Sequence, residues 1–259
     1  MDPLEFTFDQ LPFEEALEFL RRKLRLPTRD WEDLVREAHD VAFAVAGVQK
    51  AQLLADFQEA VEEAIERGET LADFQARFDG IVAEHGWAYN GSRGWRARTI
   101  FLTNVRTSYA AGRRRQSEAV KSLRPYWQYQ HSDAAQPRPT HLAIDELVLP
   151  ADHPFWRTAY PPNGWGCACY VVTLSARQVE AMRRAGTIRE TPPPGIEVVD
   201  ERSGEVIQTY EGVEAAWAYA PGATGEDRRR RALALAVERL PAGLQAQARR
   251  AAQSAGVEL

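Results

Sequence analysis

The chain has 259 residues, 44% hydrophobic and 10% aromatic, which is enough apolar surface for a core and lies well outside the composition of disordered chains. No run approaches the roughly 18–20 apolar residues of a membrane helix, and the acidic start MDPLEFTFDQLPFEEALEFL lacks the basic region of a secretory signal. Two cysteines exclude a disulfide framework and point to synthesis in a reducing cytosol.

The formal charge of −5 is unevenly spread: residues 1–90 carry 9 Lys/Arg against 20 Asp/Glu, and residues 91–140 carry 10 against 2. Such separation fits surfaces that meet different partners, the Arg-rich middle an anion, or acidic and basic parts that face each other.

Pro12 precedes FEEALEFLRRKL, whose Phe13, Leu17, Leu20 and Leu24 recur at helical steps. Thr28 is the expected N-cap of a second helix, with Trp31, Leu34, Ala38, Val41 and Val45 as its apolar stripe and Gly47 as its break. A third helix carries Leu53, Leu54, Phe57, Val61 and Ile65 and ends at Gly68. Thr70 and Asp73 form a capping box for a fourth, ending near His85-Gly86-Trp87. Residues 95–118 run without Pro and predict a long helix with Arg113-Arg114-Arg115 near its C-terminal end.

From Arg124-Pro125 to about Pro221 the composition turns to Pro, Gly and aromatics between short apolar segments such as YWQYQH, LAIDELVLP and ACYVVTL. IEVVDERSGEVIQTYEG, broken at Arg202-Ser203-Gly204, reads as a β-hairpin, and Ser175 as the N-cap of a short helix. Residues 226–250 predict a terminal helix pair interrupted at Pro241. The expected class is α+β: a mostly helical region over 1–123, a compact α+β module over 124–220, and a helical tail over 221–259.

Both cysteines lie in PPNGWGCAC, residues 161–169. Cys167 and Cys169, with His141 upstream, are the candidate metal ligands, since zinc accepts Cys and His in tetrahedral geometry. No second cysteine pair accompanies them, and His131, His153, Asp133, Asp145 and Asp152 are further donors that spacing does not single out. Buried inert thiols are the plainer expectation. A Cys167–His141 nucleophile and base is less favoured, because the local sequence offers no evident cation to lower the thiol pKa. His141, Asp145 and Glu146 in HLAIDE would lie along an extended segment, His141 and Asp145 on one face, as a stabilising pair. Arg106, Arg113, Arg114 and Arg115 are candidates for phosphate or DNA contact without base readout, against the alternative of a solvated helix end.

The succession RPYWQYQHSDAAQPRPTHLAIDELVLPADHPFWRTAYPPNGWGCACYVVTLS resembles the core of the phage Mu protein F-like family of minor head, or head morphogenesis, proteins. Arg138, Pro139, His141, Asp152, Pro154, Phe155, Trp156, Pro161, Pro162, Asn163, Gly164, Trp165, Cys167 and Cys169 match its order. Ala168 stands where the family often has Arg, and the chain ends soon after the tail, without room for the enzymatic domain of some relatives.

The resemblance implies a structural, non-enzymatic virion protein, assembled in the host bacterial cytoplasm and placed in the capsid interior or at the portal vertex. It implies partners in the portal or major capsid protein and, non-specifically, packaged DNA; no membrane, small-molecule substrate or cofactor is expected, with zinc on the candidate ligands left open by the residues themselves. The alternative is a metal-dependent hydrolase or nuclease using His141, Cys167 and Cys169. On physical grounds the Pro-stiffened, Trp-flanked loop is expected to serve as an anchor, with both thiols on one side of an extended segment.

Overall fold

A computed structural model describes residues 13–132, 136–201 and 204–259. Pro12, Asp133, and Arg202 and Ser203 of the expected hairpin turn lie outside the described residues.

Four helices build the first half. α1 (Glu14–Arg21), α3 (Ala51–Arg67), α4 (Leu71–His85) and α5 (Arg93–Ala119) enclose one core in which Leu17, Leu20, Phe57, Phe74, Phe78 and Ala97 are fully or almost fully buried. Their ends follow local chemistry. Gly68 and Gly86 close α3 and α4 in the left-handed conformation that glycine adopts without steric cost. Thr70 and Asp73 form the expected reciprocal capping box on α4. Gly112 lies inside α5 because α1 crosses there: a Cβ would sit 2.7 Å from Phe13 Cζ and 2.9 Å from the Ala16 nitrogen.

The helix expected from Thr28 to Gly47 is absent. The segment instead makes a 3₁₀ turn (Trp31–Asp33), a one-turn helix α2 (Ala38–Val41) and strand β2 (Ala42–Phe43), which pairs in parallel with β1 (Leu24–Arg25). Asp30, not Thr28, caps the turn, in a box with Asp33, while the buried Thr28 hydroxyl donates to the Val45 carbonyl at 3.2 Å. The apolar spacing that mimicked a helical stripe serves two packing surfaces. Leu34, Ala38 and Val41 face the tail, and Val45 faces the helical core.

The module is organised on a three-stranded antiparallel sheet, with β3 (Tyr126–Gln130) between β4 (Val148–Pro150) and β5 (Tyr170–Leu174). Trp127 lies opposite Leu149 and Thr173. Two single-turn helices, α6 (Pro139–Leu142) and α7 (Phe155–Thr158), fill the connections, and α8 (Ala176–Ala185) starts at a Ser175–Gln178 capping box. β6 (Gly195–Val199) and β7 (Val206–Tyr210) form the expected hairpin. The fold is α+β. α9 (Glu226–Arg239) and α10 (Ala242–Ser254) then bury Leu233, Val237, Leu240 and Ala248 against Leu26, Leu34 and Val41. No helix among the described residues is long and apolar enough to cross a membrane.

Candidate functional site

The PPNGWGCAC loop folds over the end of the module's core, and named polar clamps hold it. Arg138 Nη2 donates to the Trp165 carbonyl at 2.6 Å and pairs with Glu214 at 3.3 Å. The Glu214 backbone N–H donates to the Asn163 carbonyl at 3.0 Å. Asn163, fully buried, accepts from the Tyr129 hydroxyl at 2.9 Å. Gly164 leaves room for this clamp, since a Cβ there would push the Glu214 carboxylate aside. Trp165 packs edge-on against Trp31 and Trp217, with ring centroids 5.9 and 5.3 Å away. Below the loop, Trp127, Trp156 and Tyr160 form an edge-to-face cluster, a geometry that adds to plain area burial.

This scaffold brings three sequence-distant donors together. His141, in α6, directs Nδ1 at Cys169 Sγ (3.6 Å) and Cys167 Sγ (3.7 Å), and all three residues are buried. Its other nitrogen, Nε2, lies 2.9 Å from the Gly212 carbonyl. A carbonyl only accepts, so the neutral ring carries its proton on Nε2 and turns the Nδ1 lone pair to the sulfurs. Gly212 has φ +92°, and a Cβ there would sit 3.1 Å from Thr140 Cβ and 3.5 Å from the imidazole Cδ2. The loop carbonyl can approach His141 because this residue is glycine.

The Cys169 thiol, His141 and the Asn163 and Cys169 backbone groups together outweigh burial and hold the Cys167 thiol pKa well below its ordinary value. Cys169 is pushed up by its Cys167 neighbour and by burial. Burial opposes protonation of His141, but the hydrogen bond and charge of Cys167 and the Gly212 carbonyl raise it above its ordinary value. The sequence near the thiols offered no cation; the fold brings Arg106 of α5 close enough to interact with both sulfurs.

The remaining candidates are spread out. Asp145 and His141 do not lie along an extended segment: His141 is helical, and Asp145, in the following turn, accepts from the backbone N–H groups of His131 (2.7 Å) and Glu146 (3.0 Å). Glu146 sits at positive φ beside it. His153 Nδ1 accepts from the Phe155 N–H at 3.2 Å, and Asp152 pairs with Lys121. The arginines of α5 also part company. Arg106 donates to the Gly166 carbonyl at 2.5 Å, and Arg113 lies over the Tyr170 ring at 5.9 Å. Both line a cleft of about 270 Å³ between α5 and the thiol loop. Arg114 pairs with Glu118 at 3.0 Å, and Arg115 with Glu18 of the acidic half.

Residues 55–172 match the family model described as Phage Mu protein F like protein. The chain is 30% identical over 240 residues to a protein of Escherichia phage Mu named capsid assembly protein F, a match covering 82% of this chain and 55% of that protein. This chain belongs to the Mu F-like family. It is also 33% identical over 195 residues to the Mu-like prophage FluMu F protein of Haemophilus influenzae, covering 70% of this chain and 47% of the relative. It thus spans about half the length of the curated relatives it matches. No solved structure matches it. The Mu F-like match runs from α3 into β5 and includes His141, Cys167 and Cys169 together with Arg138 and Asn163. Sequence reasoning listed Arg138 and Asn163 only as motif positions and missed Gly212 and Glu214. Their roles depend on partners far away along the chain, such as Glu214 for Arg138 and Gly212 for His141, 71 residues apart, for which no local pattern exists.

Proposed function

We propose that this Mu F-like chain is a structural component of the phage head. In this role it docks on the portal or major capsid protein and takes part in procapsid assembly and in DNA packaging or delivery. The observation that carries this is the 30% identity extending over 82% of the chain to the capsid assembly protein F of phage Mu. The clamped loop supports it: a unit that must fit a shell in fixed register benefits from low conformational freedom at its contacts. The thiols are only 4% and 8% exposed, which suits an anchor better than a nucleophile that must meet substrate. Arg106 and Arg113 at the cleft would contact an acidic neighbour or DNA phosphates without sequence readout. Mass spectrometry of purified procapsids and virions tests the assignment: the chain is expected in one or both, and absence from both overturns it.

A hydrolase or nuclease is the second reading, favoured by the low Cys167 thiol beside His141 at the edge of an Arg-bearing cleft. It requires turnover that vanishes in Cys167→Ser while the fold is retained, whereas a head component shows none.

A further inference from the structure

The spacing of the three donors matches a geometry that hydrogen bonding alone does not demand. Zinc binds Cys sulfur at about 2.3 Å and His nitrogen at about 2.0–2.1 Å, so ligand atoms at tetrahedral angles lie about 3.5–3.8 Å apart. The two N···S separations here are 3.6 and 3.7 Å. Both sulfurs converge on one nitrogen, and the three ligand atoms lie within 4.8 Å of one another.

The surroundings are those of metal ligands. The Gly212 carbonyl fixes the His141 tautomer, the outer-shell partner that ligating histidines regularly have. Gly212 is held between Thr140 and the imidazole where a side chain would push it away. Asn163, whose backbone interacts with Cys167, is fully buried and anchored by Tyr129. The sulfurs are free thiols, not a disulfide. The other donor cluster, Asp56 with Glu84 and His85, is different: it lies on the helical surface, and His85 Nε2 is already 2.5 Å from the Asp56 carboxylate.

We propose that His141 through Nδ1, Cys167 and Cys169 bind one zinc ion. The ion joins α6 to the thiol loop and, through the His141 Nε2–Gly212 bond, steadies the turn after β7, and so acts as a staple for the module. The three described ligands leave the fourth position to solvent or to a further group. This assignment stands apart from the head-assembly role, since either can hold without the other.

The test uses the full chain purified after expression in zinc-supplemented medium. Elemental analysis is expected to give stoichiometric zinc. Replacement by cobalt(II) should produce sulfur-to-cobalt charge-transfer absorption and the intense visible bands of a tetrahedral site. Both signals should be lost in Cys167→Ser/Cys169→Ser and in His141→Ala. Should those variants fail to fold, the native chain carries the decision. A chelator should lower its melting temperature and expose two titratable thiols, and added zinc should reverse both changes. Metal content that stays substoichiometric after zinc reconstitution with both thiols reduced overturns the proposal. So do a thiol count showing a Cys167–Cys169 disulfide and zinc retained undiminished in the double serine variant.

Discussion

The helical half and the module bury comparable sets of large side chains but are held in different ways. In the first, Phe57, Phe74, Phe78 and Phe101 interlock between α3, α4 and α5, and the buried Asn104, Thr107 and Ser117 side chains bond back to carbonyls four residues earlier in the same helix. In the second, Trp127, Trp156 and Tyr160 share the interior with His141, Asn163 and two thiols, and short elements are tied by side chain-to-backbone bonds across long sequence separations. Long amphipathic helices create their own contacts at neighbouring turns, whereas single-turn helices need partners from elsewhere. The module is therefore the part where one lost polar contact releases a whole loop.

The largest effect that separates the two regions comes from the helical core. Phe57→Ala, at a fully buried ring against Phe78 and Trp87, is expected to cost about 3–5 kcal/mol in denaturant unfolding, and the loss should not depend on added chelator.

The junction between the regions responds to pH. His39 stacks on Tyr219 at 6.4 Å, and burial together with the Lys23 charge lowers its pKa to about 4. Between pH 6.5 and about 4 the unfolded chain takes up a proton that the folded chain refuses. Stability should therefore fall through that window, by up to about 3 kcal/mol. His39→Gln should remove the fall, as read by melting temperature against pH. Asp40, raised chiefly by burial, acts in the opposite sense and persists in the variant.

Arg138→Ala removes the bond to the Trp165 carbonyl and the pairing with Glu214. It should cost about 1–2 kcal/mol, with tryptophan emission shifting to the red as the loop loosens. The smallest effects are the α4 and α8 capping boxes, one in each region. Thr70→Ala and Ser175→Ala should each cost about 1 kcal/mol, and equal losses would show that local helix chemistry is the same on both sides.

What was legible in the sequence follows the same division. Gly68, Thr70, residues 95–118 and Ser175 behave as their local patterns say, because caps and periodicity act within a few residues. The segment after Thr28 did not, because its apolar residues are shared between two cores and Trp31 is drawn out to Trp165. At the candidate site the donors His141, Cys167 and Cys169 were legible as residue types. The Gly212 carbonyl, the Arg138–Glu214 clamp and the approach of Arg106 were not, since folding alone brings them together.

Asp40 accepts the backbone N–H groups of Gly222 and Thr224, the former from 182 positions further along the chain, and the segment around it is covered by Leu233, Val237 and Ala248. During translation, residues 24–42 therefore emerge long before the surfaces that complete them. The four-helix core can close while the ribosome is still making the module, but the parallel β1–β2 pair and the buried Lys23 beside it must wait for α9 and α10 to arrive.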